Sequence, residues 1–493
     1  MTSDPRIVFL DGTLSLSKEA LGGKAYSINK MRQLGLPVPA AFALTTRMCQ
    51  EFHEAGGVLS DMVWSEVLEQ LHRIEVDTGR TFGRGPSPLL VSVRSGAAES
   101  MPGMMDTVLN LGLTPELAER LAAESGDAAW AEDTWTRFCR SYADVVAKDS
   151  RALPPVEPLE QLRATIGAVF ESWNNERVRV YRARHGLTGP GGTAVTVQAM
   201  VFGNRDENSG TGVMFSRDPN SGEAKVTGEW LTHAQGEEVV SGSRTPQTLE
   251  DLGKSNPELH SELIRIASFL EQDHKDLVDI EFTVESGRLY VLQCRKGKRS
   301  PAAAVRIAVE MVRENIISEK EAFERISGEH VARLAAEKQS TSGGEVVAQG
   351  TGIGTGIASG LAVSDLDEAQ TLSAQGQDIV LIRATTSPED VPAMFDSVAV
   401  VTEVGGSTSH AALVCREIGL PCVVGCGVGA VENLVGKVVT VDGTSGLVTL
   451  GASSSGASQT NPYLLELLSY TDSGVPEDHP LQVLRAQHLQ RTE

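Results

Sequence analysis

The sequence lacks several features that would define its surroundings or its partners. No apolar run approaches the roughly 18 residues that a membrane-spanning helix needs. The first residues, M-T-S-D-P-R-I-V-F-L-D-G, show no basic stretch followed by an apolar one, as a secretory signal would. Positive charge is also in deficit, because 43 Lys and Arg stand against 65 Asp and Glu, a formal net charge of −22. That charge argues against sequence-independent binding to nucleic acid or anionic membranes. We therefore expect a cytoplasmic protein that binds neither.

Cysteine is scarce as well, and its spacing excludes the common metal motifs. The six cysteines fit free thiols in a reducing compartment. Cys422 and Cys426 have C-x-x-x-C spacing, but no further Cys or His pair lies near them, so buried thiols are favoured over a metal site. The phosphate-binding motif G-x-x-x-x-G-K-[ST] is also absent. Nucleotide binding, if present, must therefore use another motif.

The composition that remains predicts a large globular protein. A hydrophobic content of 41% is ordinary, and 493 residues suffice for two to four structural units. Alternating helical and strand patterns predict a multidomain α/β and α+β fold. We expect a first domain at 1–336 with a helical part at about 113–190, a flexible glycine-rich linker at 337–356, a compact α/β domain at 357–452 and a tail at 453–493.

Apolar periodicity predicts individual elements inside these domains. Spacings of three and four predict helices over 56–80 and 115–148, and a long helical tract over 301–338. Alternation of apolar and polar residues predicts strands at V-S-V-R, V-T-V-Q-A-M-V-F and L-V-D-I-E-F-T-V.

The most informative stretch is 404–425, V-G-G-S-T-S-H-A-A-L-V-C-R-E-I-G-L-P-C-V-V-G. A glycine turn opens an apolar helix with His410 in its first turn. The unpaired N–H groups and the dipole of a helix start favour negative charge, so they would stabilise a phosphoryl group on His410 and disfavour imidazolium. The hydroxyls of Thr408 and Ser409 suit bonds to exposed N–H groups. A histidine that only packs or caps at a helix start is the alternative.

Four polar residues alternate along V-D-I-E-F-T-V-E-S-G-R-L-Y-V-L-Q-C-R. Asp279 and Glu281 share one face of a predicted strand, Gln293 and Arg295 share a face of the next, and E-S-G-R predicts a hairpin turn between the strands. Paired carboxylates suit Mg²⁺, whereas Arg and Gln suit phosphate oxygens. A surface hairpin whose polar face meets solvent would give the same pattern.

Three basic residues in the first half of the chain are further candidates. Lys24 follows two glycines, which let backbone N–H groups approach a phosphate to which the lysine adds a charge. Arg94 ends a predicted strand, where its planar fork can grip two phosphate oxygens. Arg137 lies in a helical pattern. A surface ion pair for Arg94 and an exposed helix charge for Arg137 remain open.

Taken together, these stretches resemble one protein family. Segment 404–425 resembles the phosphohistidine segment of the pyruvate, phosphate dikinase and phosphoenolpyruvate synthase group. Other segments resemble the dikinase in the same order along the chain, and the resemblance runs from about residue 20 to residue 452. These segments are G-G-K-A-Y-S-I-N-K-M-R-Q-L-G-L-P-V-P (22–39), V-S-V-R-S-G-A-A-E-S-M-P-G-M-M-D-T-V-L-N-L-G (91–112), V-Q-A-M-V-F-G-N (197–204), S-G-T-G-V-M-F-S-R-D-P (209–219), A-Q-G-E-E-V-V-S-G (234–242) and D-I-E-F-T-V-E-S-G-R-L-Y-V-L-Q-C-R-K-G-K-R (279–299).

The resemblance implies a fold and a set of site residues. It implies an ATP-grasp-like nucleotide-binding domain at 1–336, a swivelling phosphohistidine domain at 357–452, and a loop over the phosphates at 100–105. His410 would be the catalytic residue, and Thr408 lies where some members are phosphorylated for regulation. The residues implied to bind ATP are Lys24, Arg94, Arg137, Asp279, Glu281, Gln293 and Arg295, and those implied to hold Mg²⁺ are Glu281, Asp279 and Gln293.

The resemblance also implies a reaction. His410 would take a pyrophosphoryl group from ATP and release AMP, and inorganic phosphate would then remove the terminal phosphoryl group as pyrophosphate. The family continues into a barrel that binds pyruvate and phosphoenolpyruvate, whereas this sequence stops at Glu493. We therefore predict that phospho-His410 serves pyruvate on a separate subunit, as a split dikinase. Another small-molecule or protein acceptor, as in the related rifampin phosphotransferase, and a noncatalytic nucleotide-binding regulator are alternatives. A homodimer is compatible with each.

Overall fold

A computed structural model gives the fold of most of the chain. Its contacts divide the chain into two units, 1–210 with 282–294 and 211–281 with 295–493. The residues that the structure describes are 5–85, 87–98, 106–176, 178–179, 182, 192–241, 246–328, 330, 334, 340–341, 344–354, 356–455, 461–470 and 481.

The first unit is built on an antiparallel five-stranded sheet of order β1-β2-β5-β3-β4. Apolar side chains from the sheet and helices, among them Phe42, Phe52, Phe138 and Phe170, form its core. The strands are β1 Ile7–Phe9, β2 Ala41–Leu44, β3 Val91–Gly96, β4 Thr107–Leu111 and β5 Ala194–Ala199. The helices are α1 Lys18–Gln33, α2 Thr46–Glu54, α3 Asp61–Thr78, α4 Pro115–Ser125, α5 Ala128–Tyr142, with a π-helical turn Ala143–Ala147, and α6 Pro158–Ser172.

The helix predicted over 115–148 is divided in the structure. Gly126 ends α4 with a φ of 72°, a left-handed conformation that glycine adopts without steric cost. The side chain of Asp127 then accepts a hydrogen bond from Trp130 N and starts α5. A glycine followed by an N-cap residue therefore outweighs the continuous apolar spacing.

Another sheet has the order β10-β9-β6-β7-β8. The predicted E-S-G-R turn is present, since Ser286 and Gly287 both have positive φ, as a tight hairpin requires. Residues 282–294 of this hairpin are grouped with the first unit and its strand ends with the second. The elements are β6 Gly210–Phe215, β7 Thr227–Thr232, α7 Gly236–Ser241, β8 Gln247–Thr248, α8 Leu249–Ser255, α9 Pro257–His274, β9 Val278–Glu285, β10 Arg288–Lys296, α10 Pro301–Arg313 and α11 Glu319–Glu324.

The second unit also contains an eight-stranded sheet of order β12-β19-β18-β14-β15-β16-β17-β13, in which β14 to β17 run parallel. A short ribbon of β11 and β20 lies outside it. The strands are β11 Ser340–Thr341, β12 Val346–Gln349, β13 Thr351–Ile353, β14 Ile357–Val363, β15 Ile379–Arg383, β16 Ala399–Thr402, β17 Cys422–Val424, β18 Val438–Asp442, β19 Leu447–Leu450 and β20 Ser454–Ser455. The helices are α12 Leu366–Ala374, α13 Val391–Phe395, α14 His410–Ile418 and α15 Pro462–Ser469, with 3₁₀ turns Pro388–Asp390 and Glu432–Leu434.

Part of the predicted linker belongs to this sheet. β12 pairs with β19 and β13 pairs with β17, and only Gly350 separates β12 from β13. A Cβ at Gly350 would lie 2.3 Å from the carbonyl oxygen of Val424, so glycine permits the close approach. Strand pairing therefore replaces the flexibility expected there. Residues 337–339, 342–343 and 355 lie outside the described residues, and the predicted domain boundaries stay predictions.

The predicted tail contributes a helix to an apolar core. α15 buries Leu464, Leu467 and Leu468 in the same cluster as Val305 of α10 and Phe323 of α11. Asn461 caps the helix by accepting hydrogen bonds from Tyr463 N and Leu464 N. Residues 456–460, 471–480 and 482–493 of the predicted tail lie outside the described residues.

Two expectations from composition also have a structural outcome. All six cysteines are free thiols, and burial raises the pKa of Cys49 to about 11 and that of Cys426 to about 12. Across the part of the chain that is described, no helix has both the length and the apolar character to cross a bilayer.

Candidate active site

Close packing of glycines brings Lys24 to the end of β3. Gly22 has a φ of 71°, and a Cβ there would lie 2.0 Å from the carbonyl oxygen of Gly96. The N–H of Gly23 donates to the carbonyl oxygen of Ala97 at 2.8 Å. Because Arg94 lies on the same strand end, this local packing brings two of the predicted phosphate-binding cations to one region of the first unit.

β10 is attached to the same helix. The Ser27 hydroxyl donates to the carbonyl oxygen of Cys294 at 2.7 Å, and Cys294 N donates back to Ser27 Oγ at 3.1 Å. Gln293 is half-buried and precedes Cys294, so β10 and the Lys24 helix are fixed together.

Arg137 lies elsewhere in the first unit, on α5. Its Nε donates to the carboxylate of Asp133 one turn earlier at 2.7 Å, the geometry of a helix-surface ion pair. Its assignment to the nucleotide stays a prediction. The loop predicted at 100–105 lies outside the described residues.

Asp279 on β9 is a buried carboxylate with one oxygen uncommitted. It is 2% exposed, and its Oδ2 accepts a hydrogen bond from Arg295 Nε at 2.8 Å. Burial raises the pKa of Asp279, and the charge of Arg295 opposes that shift. Its Oδ1 has no hydrogen-bond partner among the described residues. A buried carboxylate oxygen without a partner requires a hydrogen-bond donor or a cation.

Asp279 and Glu281 fit a hard cation in part. They lie two residues apart on one strand, and the charge of Glu281 contributes to the raised pKa of Asp279. Within the described ranges, no group of three His, Cys, Asp or Glu side chains is arranged to hold a metal ion. A Mg²⁺ ion here would therefore need further oxygen ligands from phosphate or water, as is usual for magnesium.

His410 is the first residue of α14, as predicted. Its Nδ1 lies 3.1 Å from the hydroxyl oxygen of Thr386. In the tautomer whose Nδ1–H donates to Thr386, the lone pair is on Nε2. Burial lowers the pKa of His410, and the nearby carboxylate of Asp390 opposes that shift. The ring is therefore neutral at pH 7, and burial is the main cause.

A carboxylate from the neighbouring sheet binds the loop before His410. Glu229 on β7 is 8% exposed and accepts hydrogen bonds from Ser407 N, from Thr408 N at 3.2 Å and from the Thr408 hydroxyl at 2.6 Å. A Cβ at Gly406 would lie 2.3 Å from Glu229 Oε1, so glycine is required for this approach. Ser409 caps α14 as predicted, whereas the Thr408 hydroxyl binds Glu229 instead of an exposed N–H group.

Arg416 on α14 is completely buried. Its Nε donates to Asn220 Oδ1 at 3.0 Å and its Nη2 to the carbonyl oxygen of Ser407 at 2.9 Å. Burial lowers the pKa of Arg416 to about 10, and the charges of Asp218, Asp279 and Glu229 oppose that shift. The guanidinium is therefore charged at pH 7.

Three neighbours of the His410 segment were not predicted from the sequence: Glu229, Thr386 and Asp390. One signal was available, because Ser387 and Asp390 form a capping box that fixes the Thr386 loop. No local pattern indicates Glu229, which is 178 residues from Ser407.

Comparison with known proteins defines the class of protein to which this arrangement belongs. The protein-family model described as "Pyruvate phosphate dikinase, AMP/ATP-binding domain" matches residues 58–260 and 255–316. A second family model, described as "PEP-utilising enzyme, mobile domain", matches residues 375–446. The sequence thus combines an ATP-binding domain with a mobile domain. The chain belongs to the pyruvate, phosphate dikinase family, which confirms the predicted resemblance.

Curated relatives give the extent of the similarity. Pyruvate, phosphate dikinase 2 of Zea mays is 41% identical over 472 residues, which are 86% of this chain and 53% of the relative. Pyruvate, phosphate dikinase of Clostridium symbiosum is 37% identical over 502 residues, which are 90% of this chain and 57% of the relative. The chain spans about half the length of the curated relatives it matches.

Proposed function

We propose that this chain phosphorylates its own His410 with ATP and inorganic phosphate, yielding AMP, pyrophosphate and phospho-His410. The observation that carries the proposal is a neutral, half-buried histidine at the start of α14, whose Nδ1 is bound by Thr386, in a chain of the dikinase family. Nε2 is then the nucleophile. The helix start favours the negative charge that arrives with the phosphoryl group.

The proposed reaction has two transfers. Nε2 of His410 attacks the β-phosphorus of ATP, the bond from that phosphorus to the α-phosphate oxygen breaks, and AMP leaves. An oxygen of inorganic phosphate then attacks the terminal phosphorus of the pyrophosphoryl group, and the bond from that phosphorus to the bridging oxygen breaks. Pyrophosphate is formed and released, and one phosphoryl group remains on Nε2. Positioning and charge neutralisation provide most of the catalysis in such transfers.

Binding of ATP is assigned to three of the predicted cations. Lys24, Arg94 and Arg295 would contact phosphate oxygens, and Gln293 would add a hydrogen bond. The close packing around Gly22 and the bonds between Ser27 and Cys294 support this assignment, because they hold Lys24 and β10 in place. Arg137 is also assigned to the nucleotide.

Magnesium is assigned to Asp279 and Glu281, with Gln293 as a further oxygen ligand. The uncommitted Oδ1 of Asp279 supports this assignment. When bound, Mg²⁺ would neutralise charge on the phosphate oxygens. The residues of the chain would hold the nucleotide, and the Nδ1–H tautomer of His410 would leave Nε2 unprotonated.

The acceptor of the phosphoryl group is a separate proposal. We infer that phospho-His410 serves pyruvate on a separate subunit, in the cytoplasm. The names of the relatives support pyruvate. A different small-molecule or protein acceptor, or a noncatalytic regulator that binds nucleotide, would fit the same family membership.

Thr408 is proposed as a regulatory position. Its hydroxyl is buried and donates to Glu229, so a modifying enzyme must first separate the loop from β7. A phosphoryl group on Thr408 would then place like charge beside the Glu229 carboxylate and oppose the return of the loop.

ATP labelled at the β-phosphate tests the proposed function. Wild-type protein, His410→Ala and the exposed control His72→Ala are incubated with MgATP, with and without inorganic phosphate, and AMP and acid-labile protein label are measured. We expect label and AMP from the wild type and His72→Ala, and neither from His410→Ala.

The outcomes distinguish the alternatives. Absence of label and AMP in every variant would contradict the enzymatic proposal and favour the regulator. Pyruvate added to the labelled protein should discharge it only when the acceptor-binding subunit is also present. Discharge by pyruvate alone would contradict the separate-subunit proposal.

A further inference from the structure

Arg416 has an unfilled hydrogen-bonding position at its guanidinium. Its two hydrogen bonds go to neutral oxygens, those of Asn220 and Ser407, and Nη1 has no partner among the described residues. The side chain is fully buried. A buried cation whose donors meet only neutral acceptors is costly unless an anion completes the site.

The carboxylates around Arg416 are committed elsewhere. Asp218 accepts hydrogen bonds from Asn220 N and Ser221 N, and Glu229 accepts those of the His410 loop. Asp279 binds Arg295 through Oδ2. Among the described residues, these acids surround the guanidinium without forming a direct ion pair with it.

One carboxylate oxygen in this group is also unsatisfied. Asp279 Oδ1 has no partner within the described part of the chain, and Asp279 and Arg416 are close enough for each charge to affect the pKa of the other. The region therefore has one open donor and one open acceptor. A phosphate group with its magnesium ion offers both an acceptor oxygen for Nη1 and a cation for Oδ1.

The guanidinium of Arg416 lies beside the loop before His410. Nη2 is bound to the carbonyl oxygen of Ser407, three residues before His410, although Arg416 itself is almost two turns further along α14. Arg416 and His410 belong to one helix, so they approach the nucleotide together. A charge that is present only in the transfer complex stabilises the transition state selectively.

We propose that Arg416 is a further catalytic residue, whose Nη1 donates a hydrogen bond to a phosphate oxygen of ATP beside Asp279 during transfer to His410. No bond to Arg416 is made or broken, and the guanidinium neutralises charge on the transferring group. This inference rests on the proposed function. An ordered water between Nη1 and Oδ1, or a purely structural role in holding the loop, are the competing explanations.

Single-turnover labelling of His410 tests the inference in the full chain. Arg416→Met replaces the guanidinium by an unbranched apolar side chain. Arg313→Met, which removes an exposed arginine paired with Glu466 in the same unit, is the matched control. We expect labelling to slow at least 100-fold in Arg416→Met, the usual effect of removing one donor to a developing charge, and to be unchanged in the control.

Hydrogen exchange separates chemistry from structure. The amides of Ser407 and Thr408 are bound to Glu229, so their protection reports whether the loop is held against β7. We expect that protection to fall by about tenfold or less in Arg416→Met, the effect of losing the single hydrogen bond to the carbonyl oxygen of Ser407, while the labelling rate falls at least 100-fold. Loss of protection in parallel with the rate would overturn the inference in favour of a structural role.

A second variant keeps the test decisive if Arg416→Met does not fold. Arg416→Lys retains the charge, but one ammonium group cannot reach Asn220, Ser407 and a phosphate together. We expect a rate at least tenfold below wild type, with amide protection of the Ser407 loop no lower than in Arg416→Met. A wild-type rate in either variant would overturn the inference and favour the bridging water. Absence of labelling in the wild type would instead refute the proposed function.

Discussion

The contact between Glu229 and the His410 loop gives a quantitative prediction. Glu229→Ala removes the acceptor for Ser407 N, Thr408 N and the Thr408 hydroxyl. A buried donor left without a partner costs about 1–3 kcal/mol. Water that enters the space of the lost carboxylate would satisfy some of the donors. We therefore expect a net loss of about 2–4 kcal/mol in the free energy that holds the loop on β7.

Hydrogen exchange measures this free energy directly. At 1.4 kcal/mol for each factor of ten, exchange of the Ser407 and Thr408 amides should accelerate about 30- to 1,000-fold in Glu229→Ala. Thr408→Val, which removes only the hydroxyl, should accelerate exchange about tenfold or less. Glu250→Ala is the matched control, because Glu250 forms an exposed ion pair with Lys225. Exchange within threefold of wild type in Glu229→Ala would refute the reasoning.

Three further predictions concern the catalytic ring, the metal site and the tail helix. Because burial lowers the pKa of His410, the unfolded chain binds a proton at that ring at a higher pH than the folded chain does, so stability should start to fall as the pH drops through 6.5. The labelling rate depends on the neutral ring of the folded chain, so it should stay constant until the pH falls through the lowered pKa of His410. A rate that rises on acidification would contradict this assignment. Asp279→Asn should slow labelling of His410 by at least 100-fold and make the labelling rate less dependent on Mg²⁺ concentration. Asp251→Asn, at an exposed position, is the control. An unchanged magnesium titration would argue against Asp279 as a ligand. Leu467→Ala, at a fully buried position of α15, should lower the free energy of unfolding by about 2–5 kcal/mol in denaturant titrations. Leu465 is 38% exposed on the same helix, so Leu465→Ala should change that free energy by about 0.5 kcal/mol or less. Equal effects would mean that α15 does not pack as described.

Local sequence patterns predicted the elements that carry the candidate residues. Alternation placed Asp279 on a strand, E-S-G-R predicted the hairpin, and the glycine turn predicted the helix start at His410. Each of these features depends on residues only a few positions apart. Periodicity and turn chemistry are therefore sufficient to recognise them.

Long-range partners could not be predicted in this way. Glu229 and Arg416 obtain their roles from contacts across about 180 to 200 residues, Glu229 with Thr408 and Arg416 with Asn220. The glycine-rich segment around Gly350 also misled the prediction, because glycine permits close strand packing as well as flexibility. Composition alone does not distinguish these two uses.

The short ribbon of β11 and β20 has a mechanical consequence. Ser340 pairs with Ser455 and Thr341 with Ser454, so the chain enters and leaves the eight-stranded sheet side by side. A body tethered at one point can pivot about that point but cannot translate freely away from it. Any travel of the His410 ring would then follow an arc, with a radius equal to the distance from the tether to the ring.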